Sequence, residues 1–80
     1  MIHKEKEKQL INFTHNIALL RKQHKLSKKK MAEILHISVN SLNLLENNII
    51  PPRISVDVVF AVWKYFGIYP TKQFSKKLEQ

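Results

Sequence analysis

The groups in this chain able to do chemistry are few, and their spacing argues for recognition rather than catalysis. The six acids, Glu5, Glu7, Glu33, Glu46, Asp57 and Glu79, show no pairing suited to general acid–base work. The four histidines, His3, His15, His24 and His36, lack the close i, i+3 or i, i+4 spacing of helical metal ligands, and there is no cysteine. One glycine cannot make a glycine-rich phosphate loop. No catalytic residue, metal or cofactor is therefore expected. What remains is charge and hydrogen bonding. Lys25 and Lys28 to Lys30 concentrate positive charge over a few residues, which attracts phosphate. Downstream, Asn40, Ser41 and Asn43 offer hydroxyl and carboxamide groups on a short segment, and a carboxamide can accept from N6 and donate to N7 of adenine in one bidentate contact.

The elements that must position these groups can be read from caps and periodicity. Ser27 is a good N-cap, and Met31, Ile34 and Leu35 follow at i, i+3 and i+4 with Ala32 beside them, the stripe of a short amphipathic helix. His36 and Ile37 interrupt it. Ser38 offers a second N-cap, after which Leu42 and Leu45 continue an apolar face until Asn48, a residue that tolerates the left-handed conformation ending a helix. The stretch from Leu26 to Asn48 thus predicts two short helices joined by a tight turn. Before it, Asn12 is expected to cap a helix whose inward face carries Phe13, Ile17, Leu20 and His24.

These residues carry a family resemblance. Phe13 to Arg21 reads F-x-x-N-I-x-x-L-R, Leu26 to Leu35 reads L-S-K-x-x-M-A-x-x-L, Ile37 to Leu42 reads I-S-x-x-S-L, and Glu46 follows. The pattern resembles the Cro/repressor-type helix-turn-helix regulators, also called the xenobiotic-response-element family, over about residues 13 to 74. Its most specific part is the joint register of Arg21, Ala32, Ser38 and Glu46. The resemblance implies an all-α, five-helix repressor-like fold in which the second and third helices form the helix-turn-helix. It implies a partly buried ion pair between Arg21 and Glu46. Val39, Asn40, Ser41, Asn43 and Leu44 would face the bases of the major groove; Lys25, Ser27, Lys28, Lys29 and Arg53 would contact phosphate. Val39 and Leu44 would pack against thymine methyl groups, so an A·T-containing half-site is expected. The chain departs from the family where His36 and Asn48 replace turn glycines, and both are expected to adopt left-handed backbone.

Formal charge supports the same assignment. The chain carries +8, and residues 1–30 hold nine cationic side chains against Glu5 and Glu7, leaving the remaining fifty residues nearly neutral. Eighty residues suffice for one compact domain and not for a separate effector domain, so any repression is expected to act by occupying DNA. Residues 1–11 alternate charges and read as an N-terminal arm or helix extension; residues 12–78 read as the DNA-binding domain. No apolar run is long enough to span a bilayer and no secretion signal is visible, which predicts a cytoplasmic protein.

Two consecutive prolines, Pro51 and Pro52, place a loop after Asn48, and Ser55 then caps a fourth helix ending before Gly67. Its apolar pattern covers more than half the circumference. Val56, Val59, Phe60, Trp63 and Phe66 are expected to face inward, leaving Val58, Val62 and Tyr65, with Ile49, Ile50 and Tyr69, as a homodimer contact. Pro70 and Thr71 open a fifth short helix with Phe74 and Leu78 inward. The function expected is a small phage-type repressor reading double-stranded DNA as a homodimer. The alternative is a protein-interaction module of the same fold, such as an antitoxin that masks a toxin, which the apolar Val39, Leu44, Ile49 and Ile50 favour.

Overall fold

The structure, a computed structural model, describes residues 4–49, 55–75, 77 and 78. Five helices appear in the order α1 Lys4–Gln23, α2 Lys28–Leu35, α3 Val39–Glu46, α4 Val56–Phe66 and α5 Pro70–Ser75, with no strand among the described residues. The all-α architecture and the five elements agree with the sequence reading. The start of α1 does not. The helix is already formed at Lys4, so Asn12 lies in its interior rather than at its cap.

Asn12 is buried instead, and its side chain donates to the carbonyl of Phe74 at 3.1 Å. One turn later, Asn16 Nδ2 donates to the carbonyl of Gln73 at 2.9 Å, while Asn16 Oδ1 accepts from the backbone of Leu78 at 2.7 Å. The last carbonyls of a helix have no intrahelical donor. Two asparagines spaced i, i+4 on α1 therefore act as the C-terminal cap of α5. Gln73, buried itself, donates to the carbonyls of Val59 and Ile68 and fastens α5 to α4. Phe74 stacks on Phe13 with ring centroids 4.6 Å apart.

All three serine caps act as expected: Ser27 Oγ accepts from the Lys30 N–H and Ser38 Oγ from the Ser41 N–H, each at 3.0 Å, and Ser55 Oγ from the Asp57 N–H at 3.1 Å. The ends of α1, α2 and α3 share one device. After α1, Leu26 N–H bonds to Arg21 O and Lys25 N–H to Lys22 O; after α2, Ile37 bonds to Ala32 and His36 to Glu33; after α3, Ile49 bonds to Leu44 and Asn48 to Leu45. Each is a Schellman closure, which needs one residue in the left-handed region. Lys25, His36 and Asn48 occupy it, at φ of 53°, 60° and 61°. The left-handed backbone expected of His36 and Asn48 is present, and Lys25 adds a third case. Each non-glycine residue there carries a strain of roughly 1 kcal/mol.

Phe13, Ile17 and Leu20 of α1 meet Met31, Ala32 and Leu35 of α2, Leu42 of α3, and Val58 and Val62 of α4 in one buried cluster. His24 follows α1 and is exposed, its ring edge-on to Phe66 at 4.9 Å, so it is not part of that inward face. The fourth helix is rotated relative to expectation. Val58 and Val62 are core residues, which removes them from any dimer surface, whereas Val56, Phe60 and Trp63 face solvent. Both stripes are apolar and both have helical spacing, so periodicity cannot choose between them. The slimmer valines line the side facing the interior, and the bulky aromatics remain outside.

Candidate nucleic-acid interface

The helix-turn-helix unit is held to α1 by Arg21 and Glu46. Arg21 Nε donates to Glu46 Oε2 at 2.6 Å and an Nη to Oε1 at 3.0 Å, while the other Nη donates to the carbonyl of Leu26 at 3.1 Å. The two side chains keep 17% and 10% of their surface exposed, so the pair is largely withdrawn from water. The hydrogen bond to Glu46, reinforced by its charge and opposed by burial, holds Arg21 above its already high ordinary basicity. A raised folded-state value stabilises the fold below the ordinary arginine range and loses that contribution only as pH climbs through the folded value, so the pair persists across all neutral and mildly alkaline pH. A second tie lies nearby: the buried Thr14 hydroxyl donates to Asn48 Oδ1 at 2.9 Å, joining α1 to the residue that closes α3. Thr14 gave no signal in the sequence, since a threonine inside an amphipathic helix has many roles.

So fixed, α3 buries Leu42 and Leu45 and presents its other side to solvent. Asn40 and Ser41 are exposed, Val39 retains 39% of its surface and Leu44 49%. Four of the five residues expected to face bases thus share one accessible edge. Asn43 is half-buried, and its Oδ1 is enclosed without a hydrogen-bond partner. An orphaned buried carbonyl costs about 1–3 kcal/mol, a cost that a swing of the carboxamide outward would relieve. Ser38 also donates to Ser41 Oγ at 3.0 Å, so the Ser41 hydroxyl is oriented with its own proton still available.

The lysine cluster lies one helix earlier. Lys25 and Ser27 precede α2, and Lys28, Lys29 and Lys30 form its first turn, all exposed and with no acid among them. A helix start carries the positive end of the dipole, where lysine is disfavoured and anions are stabilised. Both features call for an anion at the same place. Arg53 lies outside the described residues, as does Ile50.

The remaining surface is aromatic. Ile49, Tyr65 and Tyr69 are exposed as expected, and the structure adds Val56, Phe60 and Trp63, with Phe60 and Trp63 rings 6.2 Å apart and Trp63 and Tyr69 5.5 Å apart. Among the described residues no three metal-binding side chains converge, and no helix is long and apolar enough to cross a membrane.

A family model described as helix-turn-helix matches residues 17–73, from the middle of α1 into α5. No curated protein and no solved structure matches the chain.

Proposed function

The chain belongs to the helix-turn-helix family of DNA-binding regulators, and from that premise we propose that it is a sequence-specific repressor of the phage type that reads double-stranded DNA as a homodimer. The observation that carries this reading is the acid-free lysine turn opening α2, set beside the exposed edge of α3. Lys25, Ser27, Lys28 and Lys29, with Arg53, hold phosphates and fix register. Val39, Asn40, Ser41 and Leu44 enter the major groove, where Asn40 reads adenine and the two apolar side chains meet thymine methyls. Asn43 joins them once its carboxamide turns outward.

The second copy is held through the outer stripe of α4, Val56, Phe60 and Trp63, together with Ile49 and Tyr69, in place of the buried Val58 and Val62. Tyr65 is exposed on another side of α4 and contributes less. A two-fold arrangement sets two copies of α3 about 34 Å apart, matching successive major grooves and a pseudo-palindromic operator. Occupying a promoter in this way excludes polymerase.

Selection from a random duplex DNA library at about 0.15 M salt, where phosphate-only binding is weak, tests the reading. Enrichment of an A·T-containing inverted repeat is expected. The exposed Val39, Leu44 and Ile49 favour a second reading, an antitoxin-like module that masks a protein partner. Absence of any enriched sequence, with binding that disappears as salt rises, would transfer the assignment to that module.

A further inference from the structure

A cleft of about 460 Å³ opens between α2 and α4, on a different side of α4 from the Val56, Phe60 and Trp63 stripe. From α2 come Lys30, Glu33 and Ile34, and from α4 come Ala61, Lys64 and Tyr65, so each helix contributes an i, i+3, i+4 set, with His36 closing one end. Ile34 and Ala61 are partly buried against the core and form an apolar floor. The rims carry Lys30 and Lys64, and neither ammonium takes part in an ion pair, since Arg21–Glu46 is the only such pair among the described residues. The site thus offers an apolar seat between two cations outside any ion pair, with one acid, Glu33, on the α2 side and the Tyr65 hydroxyl and His36 ring as further hydrogen-bonding groups.

We propose that this cleft binds an acidic amphipathic helix of a partner protein, one apolar side chain seated on Ile34 and Ala61 and flanking carboxylates on Lys30 and Lys64. Three features select that occupant. The cleft is open to solvent, whereas a site for a small molecule encloses most of its ligand. Two helical ridges with a groove between them are the shape that takes the ridge of a third helix. A nucleic-acid backbone has nothing to place on an apolar floor. The cleft shares Lys30 with the lysine turn of α2 but includes none of the proposed base contacts on α3, so Lys64 on α4 is the rim charge that separates the two activities.

The test pans a phage-displayed library of random helical peptides on the whole chain at physiological salt, followed by titration of synthetic peptides while the methyl resonances of Ile34 and Ala61 are observed. Leucine- or phenylalanine-centred sequences flanked by Asp or Glu should be enriched and should move those methyls. Lys64→Glu should weaken them by about tenfold, and peptides with lysine in place of the facing glutamate should recover binding to that variant. Lys64→Glu should also leave duplex DNA affinity within about twofold of the parent, because Lys64 lies on α4 and is not among the proposed phosphate contacts. Failure to enrich acidic peptides, shifts confined to another surface, or equal binding to the variant would overturn the proposal. So would a loss of DNA affinity in Lys64→Glu as large as that of Lys28→Glu, which would make the cleft a phosphate contact. Methyl shifts produced by 3-phenylpropionate and by no peptide would overturn it in favour of a small anion.

Discussion

Helices α3 and α4 are both short and both expose large apolar side chains, yet they are held in opposite ways. Polar pins from α1 fix the rotation of α3: the Arg21–Glu46 pair and the Thr14–Asn48 hydrogen bond, with Leu42 and Leu45 supplying the buried contacts. For α4 the rotation rests on Val58 and Val62 against the core, helped by the Gln73 hydrogen bond to Val59. Directional bonds define one rotation, because a guanidinium and a carboxylate meet in few geometries. Burial of apolar area is nondirectional, and a helix with two apolar stripes can satisfy it either way round. The helix that must be aimed is aimed by polar chemistry.

Adjacent substitutions on α4 provide the largest contrast. Val62→Asp should cost more than about 4 kcal/mol, because it buries a charge with no partner, and a domain of this size has only roughly 4–12 kcal/mol in total. Trp63→Asp, one residue on, should cost less than about 1 kcal/mol and instead raise the dissociation constant of the proposed dimer. Thermal unfolding and sedimentation of the two variants would decide. If Trp63→Asp unfolded the chain while Val62→Asp did not, the assignment of inner and outer faces would be reversed.

The pins of α3 are tested by Glu46→Ala, which leaves the Arg21 guanidinium largely withdrawn from water and without its partner. Breaking a buried pair from one side costs about 3 kcal/mol, and in a domain of this length that lowers the melting temperature by roughly 12–24 °C. Arg21→Ala should fall by a similar amount, and the double variant by less than the sum of the two. An unchanged melting temperature in Glu46→Ala would mean that the pair is incidental and that packing alone orients α3.

The same difference explains what the sequence disclosed. Ser27 and Ser38 could be placed because a cap needs a particular residue type at a fixed separation from the apolar stripe, and the turn between the two helices followed from them, whereas the Arg21–Glu46 pair is implied by the family resemblance alone. Val58 and Val62 were assigned to the wrong side because Val56, Phe60 and Trp63 form an equally regular stripe, and the choice depends on how closely α2 approaches. Asn12 was read as a local cap because its partner, the Phe74 carbonyl, lies 62 residues away. Long-range polar contacts leave no periodicity behind. Within the edge of α3 proposed to face DNA the same limit appears at Asn43, which register assigns to the groove but whose Oδ1 only the packed structure encloses.

The smallest expected effect bears most directly on whether the lysine turn of α2 exists for function. Lys28, Lys29 and Lys30 sit where the helix dipole disfavours cations, and the turn has no acid to offset them. Lys28→Glu should therefore stabilise the free protein by about 0.3–1 kcal/mol, a gain that thermal unfolding at low salt would show and added salt would reduce. The same substitution should weaken DNA binding and lower the slope of log affinity against log salt by about one ion, since one phosphate contact is lost. Opposite signs from one residue distinguish a surface kept for a ligand from one kept for the fold. A purely solvated lysine would give the stability gain with no change in DNA affinity or salt slope, whereas a structural one would lose both stability and binding.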